Sequence, residues 1–171
     1  MSIQPVPTPV PPPSPEVDIQ DFANMSAALT GFLPSVIKPL LDPVNLAGTY
    51  YDFIVKEAGN ALMLGLLNAY RAIATQPPQT IADTLLETRG TLVTPQGQLA
   101  QQIVALWYLG SWYDWPSQKR TQVVSMQAYT NGLAWKVAQA HPMGFSPYTF
   151  GYWADQPPPL SSFGVNDGGA K

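Results

Sequence analysis

This 171-residue chain holds a single histidine, His141, the residue type most often used as a catalytic base. A lone histidine can take a proton from an alcohol. Oxidising that alcohol also needs a redox cofactor, and the sequence has no Gly-x-Gly-x-x-Gly or phosphate loop to hold one. No second histidine offers a Ser/His/Asp alternative or a His cluster for a metal. Pro142 comes directly after His141 and holds it in extended or turn backbone, so it reads as a structural or interface residue. With no cysteine, the chain can form no disulfide, thiolate zinc site, iron–sulfur cluster or covalent c-type haem of its own. The remaining charged neighbours read as ordinary charges: Asp18 with Asp21 and Glu87 beside Arg89 as helix-end and surface groups, Lys119-Arg120 as a solvated loop. The expectation is a chain that does no chemistry and has no catalytic, cofactor-binding or metal-binding residues.

Composition points the same way. Lys plus Arg is 8 against 11 for Asp plus Glu, a net charge of -3, and 11% of residues are charged where soluble domains carry about 25%. Hydrophobic residues make up 46%. So few charges over so apolar a chain predict surface that another molecule covers. There is no basic field for a nucleic acid.

Two aromatic segments are the candidates for that surface. Residues 105–115 hold five aromatics in eleven positions: Trp107, Tyr108, Trp112, Tyr113 and Trp115. On one helix, Trp107, Trp112 and Trp115 would project in different directions, predicting that some face outward; a large aromatic core is the competing reading. The run from His141 to Pro159 carries Tyr148, Phe150, Tyr152 and Trp153 among prolines and glycines. It reads as an irregular strap, laid across this chain's own helices or across a partner. The expected partner interface is Trp107, Tyr108, Trp112, Trp115, Tyr148, Phe150, Tyr152 and Trp153.

The elements positioning these residues read as all-α, a single helical domain over 18–140 between a Pro-rich arm (1–17) and a C-terminal strap and tail (141–171). Seven prolines in the first fifteen residues predict an extended polyproline II arm, either a loose tail or an arm laid along a neighbouring subunit. No basic or apolar region in it resembles a secretory signal. Ile19, Phe22, Met25, Ala28 and Leu29 predict a helix stopping at Gly31. Pro34, Pro39 and Pro43 then chop the chain into short pieces. Asp42-Pro43 reads as the cap and first residue of a helix ending near Gly59. Residues 60–75 read as a central helix apolar on most faces, and Thr80 with Asp83 as a capped short helix reaching about Arg89. Thr94-Pro95 opens the longest segment, running through Tyr113, and a further helix is expected over 121–139. No segment holds the roughly twenty apolar residues of a membrane span.

Three segments bear a family resemblance. Phe22-Ala23-Asn24-Met25-Ser26-Ala27-Ala28-Leu29-Thr30-Gly31 resembles a Phe-x-x-Leu-Ser-x-x-Leu-Thr-Gly opening. Leu106-Trp107-Tyr108-Leu109-Gly110 resembles an Ala-Trp-Tyr-Leu-Gly motif, with Val123-Val124 in the place of that motif's later valine pair. Phe150-Gly151-Tyr152-Trp153-Ala154-Asp155-Gln156-Pro157 resembles a closing Pro-Gly-Tyr/Phe-Trp-Ala-x-x-Pro motif. In this order the three resemble the small subunits of membrane-bound, FAD-dependent sugar and polyol dehydrogenases. They bracket roughly Asp18 to Pro159, with 34–94 unaligned. The resemblance implies a subunit that binds no flavin and supports maturation, stability and export of its partner. That partner is a large glucose–methanol–choline-type flavoprotein holding the FAD, from which electrons usually pass through a multihaem cytochrome c subunit to quinone. It implies a periplasmic location, membrane-associated through the complex, with a cytoplasmic one as the alternative. Other readings are a chaperone that releases the flavoprotein after folding, and an unrelated helical protein-binding module. Two departures stand out: the first residues do not resemble the family's twin-arginine signal, and Phe145-Ser146 with Pro147-Tyr148 stands where members often have a Tyr-Cys pair.

Overall fold

A computed structural model of the chain describes residues 15–87, 92–113, 119–145 and 159–164. The architecture is all-α with one small hairpin: α1 (Pro15–Thr30), α2 (Pro34–Ile37), α3 (Leu46–Ala58), α4 (Asn60–Ile73), α5 (Pro78–Leu85), α6 (Pro95–Leu109), β1 (Ser111–Tyr113), β2 (Arg120–Val123), α7 (Met126–Thr130), α8 (Leu133–Val137) and a 3-10 turn (Leu160–Phe163).

Helix α1 is the hub. Proline at its first position needs no hydrogen-bond acceptor there, and Glu16 and Asp18 in the first turn favour the positive end of the helix dipole. It begins three residues before the expected boundary of the helical domain. Phe22, Met25, Ser26 and Leu29 recur at helical spacing and are all buried. Around this face pack α2, α3, α4, α5 and α6. Gly31 ends the helix at φ +78°, as the sequence predicts.

Four expectations need correction. The Asp42-Pro43 pair does not start the third helix. Asp42 Oδ1 accepts the Asn45 N–H at 2.7 Å instead, and α3 begins at Leu46 after Asn45 in the left-handed region. Asp83 does not help cap α5, whose N-cap is Pro77; its carboxylate accepts from Gln79 Nε2 at 2.9 Å. Helix α4, apolar on most faces as expected, is not a wholly buried central helix: it buries Met63, Leu66, Leu67 and Tyr70 and leaves Asn60, Ala61 and Asn68 exposed. Finally, the helix expected over 121–139 is broken up. Thr121, Val123 and Val124 are β-branched and favour extended backbone, and β2 pairs antiparallel with β1, placing Ser111 opposite Val123 and Trp112 opposite Gln122. Ser125 Oγ then caps α7 by accepting the Ala128 N–H at 3.0 Å, and Gly132 separates α7 from α8.

Helix α6 opens as its sequence predicts, Thr94 Oγ1 accepting the Gly97 N–H at 3.2 Å. It does not run through Tyr113. Gly110 closes it at φ +64°, its N–H donating to Leu106 O at 2.8 Å, and the chain turns there into β1. Glycine is required at this position twice over: the φ is left-handed, and a Cβ would stand 2.5 Å from the Ala128 carbonyl carbon and oxygen.

Candidate functional site

Two of the three family-like segments meet in space. The ring of Phe22 stacks on that of Trp107, centroids 6.4 Å apart, and Tyr50 from α3 meets the same indole edge-on at 4.8 Å. The Tyr108 hydroxyl donates to Thr30 O at 3.0 Å, and its ring meets Phe32 edge-on. Thus the Phe22–Gly31 and Leu106–Gly110 segments lock together through an aromatic seam. Burial pushes the phenols of Tyr50 and Tyr108 upward from their ordinary pKa. The Tyr50 hydroxyl, Trp107 Nε1 and Ser26 Oγ are buried in this region and make no hydrogen bond to a described residue.

This placement corrects the expected interface at two positions. Trp107 is 2% exposed and Trp112 is 7% exposed, both within the chain's own core. The tryptophans would diverge toward solvent only on one continuous helix. The break at Gly110 re-aims Trp112 from strand β1 onto Phe53 of α3, ring centroids 5.6 Å apart. Tyr108 is half-buried and tied to α1. Trp115, Tyr148, Phe150, Tyr152 and Trp153 lie outside the described residues, as does the arm over 1–14.

A polar clamp was not legible in the sequence. Asp18 and Asp21, expected as ordinary helix-end and surface charges, both bind Arg71 of α4. Nη2 reaches Asp18 Oδ1 at 2.7 Å, and Nε reaches Asp21 Oδ2 at 2.7 Å. Asn68 Oδ1 accepts from Nη1 at 3.2 Å, and the Tyr51 hydroxyl lies 3.5 Å from Asp18 Oδ2. Asp18 is only 8% exposed. The hydrogen bonds to both carboxylates push the Arg71 guanidinium upward; burial, reinforced by Asp18, does the same to the Tyr51 phenol. The i, i+3 spacing of Asp18 and Asp21 on α1 was the available signal, but nothing local to it names a partner fifty residues away. With both carboxylates on one cation, the group joins α1 to α4.

His141 is half-buried, with Nδ1 3.0 Å from Pro142 O. Among the described residues, no three His, Cys, Asp or Glu side chains gather as metal ligands, and no helix is long and apolar enough to cross a membrane.

What the surface does offer is apolar. Around the hairpin base, Leu109, Val123 and Met126 are exposed; beyond, so are Val137, Met143 (77%) and Phe145. These positions flank the segments 114–118 and 146–158. The 3-10 turn after the second segment returns to the chain's own helices: it packs on α8, and Gly164 O accepts the Leu33 N–H at 3.0 Å. At least this end of the strap therefore crosses the chain itself. A second apolar group is the α2–α3 loop, where Leu40 is fully exposed and Leu41 is 90% exposed.

Comparison with protein-family models, curated proteins and solved structures gives no match to this chain.

Proposed function

We propose that this chain is a non-catalytic accessory subunit that binds, stabilises and helps mature a large FAD-dependent sugar or alcohol dehydrogenase of the glucose–methanol–choline type. The observation carrying this reading is the set of exposed apolar side chains Leu109, Val123, Met126, Val137, Met143 and Phe145, on a chain in which 11% of residues are charged. Exposed apolar side chains with so few charges among them support a protein-binding role. The ordered resemblance of three segments to one family of small subunits names the class of partner. Flavin belongs to the partner in this reading, as does any haem c to a third subunit, and the complex works at the periplasmic face of the membrane.

Co-expression with a large flavoprotein dehydrogenase of this class tests the proposal. The chain is expected to co-purify in a stable 1:1 complex, and alone to be colourless, inactive and poorly soluble. Flavin absorbance retained by the isolated chain overturns the assignment. A flavoprotein that matures with the chain's help but leaves it on gel filtration favours the releasing-chaperone reading instead. Trp153→Ala is expected to weaken association more than it destabilises the isolated chain, a hot-spot loss of about 2 kcal/mol or more.

A further inference from the structure

The loop joining α2 to α3 places a protrusion beside a hole. Leu40 and Leu41 stand almost entirely in solvent. Their neighbours Pro39 and Asp42 both line a groove of about 90 Å³, with room for the branched end of one aliphatic side chain. Its apolar walls include Ile37, Val44, Leu46, Trp107 and Leu133, while Asp42 lines it from the loop and Lys136 from α8. Neither Asp42 nor Lys136 forms an ion pair with a described residue.

We propose that this face pairs two copies of the chain about a two-fold axis, the Leu40–Leu41 protrusion of each copy seating in the groove of the other. Two features select a second copy as the occupant. Protrusion and hole lie side by side on one face, which a two-fold axis requires, since any contact made by one copy is then repeated in reverse by the other. The groove also carries one charge of each sign, so the same operation brings Asp42 of one copy to Lys136 of the other at both ends of the interface. A partner of a single charge would meet one repulsive side. The leucines lose their contact with water, and the groove gains the apolar side chain that its walls fit. This pairing does not depend on the flavoprotein reading, which rests on the hairpin and the exposed residues from Val137 to Phe145.

Sedimentation velocity of the full chain over a range of concentrations provides the test. The wild type is expected to show a monomer–dimer equilibrium. Leu40→Asp/Leu41→Asp is expected to weaken it roughly 30-fold or more with an unchanged circular dichroism melt, because the two side chains touch little of their own fold. Asp42→Lys and Lys136→Asp should each weaken the dimer, and the double exchange should restore it. A wild type that stays monomeric at every concentration overturns the proposal. So does a dimer indifferent to the leucine change, or one that the double exchange fails to restore. Two further results assign the loop elsewhere and also overturn it: leucine-dependent sedimentation with phosphatidylcholine vesicles by a monomeric chain, or a leucine change that abolishes flavoprotein co-purification while the dimer persists. Loss of flavoprotein binding by Met143→Ser/Phe145→Ser, with the dimer intact, leaves the two surfaces separate.

Discussion

The chain before Gly110 and the chain after it solve the same problem differently. Before it, α1, α3, α4 and α6 run 13 to 16 residues and bury helical stripes against one another. After it, β1, β2, α7 and α8 are three to five residues long and cannot enclose a core of their own. They sit on α6 through close backbone approaches, Ala128 against Gly110 and Gly132 against the Tyr108 carbonyl. The long helices supply most of the core, and the chain after Gly110 leaves Met126, Val137, Met143 and Phe145 exposed. The chain before Gly110 thus holds most of the core, with the Leu40–Leu41 loop as its exposed exception, and the Trp107–Gly110 turn is the hinge between the two regions.

Substitutions can break or sharpen this contrast. Trp107→Ala empties the seam shared by Phe22 and Tyr50 and should cost about 3–5 kcal/mol, read by urea denaturation. Gly110→Ala should cost about 2–3 kcal/mol, from a left-handed Cβ and a clash with the Ala128 backbone, and should show first as lost protection of β1 and α7 in hydrogen exchange. If the hinge holds the short elements only, α1 and α4 keep their protection.

Arg71→Met leaves Asp18 buried without its cation. Removing one partner of a fully buried pair costs 3–5 kcal/mol, and partial exposure here lowers this to about 2 kcal/mol. Adding Asp18→Asn should recover part of the loss, a non-additivity that a double-mutant cycle measures.

Tyr50→Phe removes a buried hydroxyl with no partner among the described residues and should be neutral or stabilising by about 1 kcal/mol. It should also flatten the alkaline limb of stability. Burial raises the Tyr50, Tyr51, Tyr70 and Tyr108 phenols, so the folded chain keeps protons that the unfolded chain releases near pH 10. The unfolded state then binds fewer protons, and stability, level below about pH 10, falls as pH rises further. Urea midpoints between about pH 9 and pH 11 check the slope. The smallest effect belongs to the exposed region: Met143→Ser and Phe145→Ser should each change stability by no more than about 0.5 kcal/mol while reducing flavoprotein co-purification.

Much of the first region was legible because its signals are local. The stripe of Phe22, Met25 and Leu29, the stop at Gly31 and the Thr94-Pro95 opening of α6 each act within a turn or two of chain. Residues 121–139 read as one helix because Thr121 to Val124 favours a strand only when β1 is there to pair with it. Separately, carrying α6 on through Tyr113 sent Trp107 and Trp112 to an exterior they do not occupy.

The amino-acid order alone determined that this is a helical, charge-poor chain with a single histidine and no cysteine, since composition and short-range periodicity need no third dimension. Which aromatics are core, that Asp18 and Asp21 share Arg71 across some fifty residues, and that two exposed leucines stand beside a groove bearing both charges were decided only by tertiary structure. Those facts are distances between residues remote in sequence, and only packing brings such residues together.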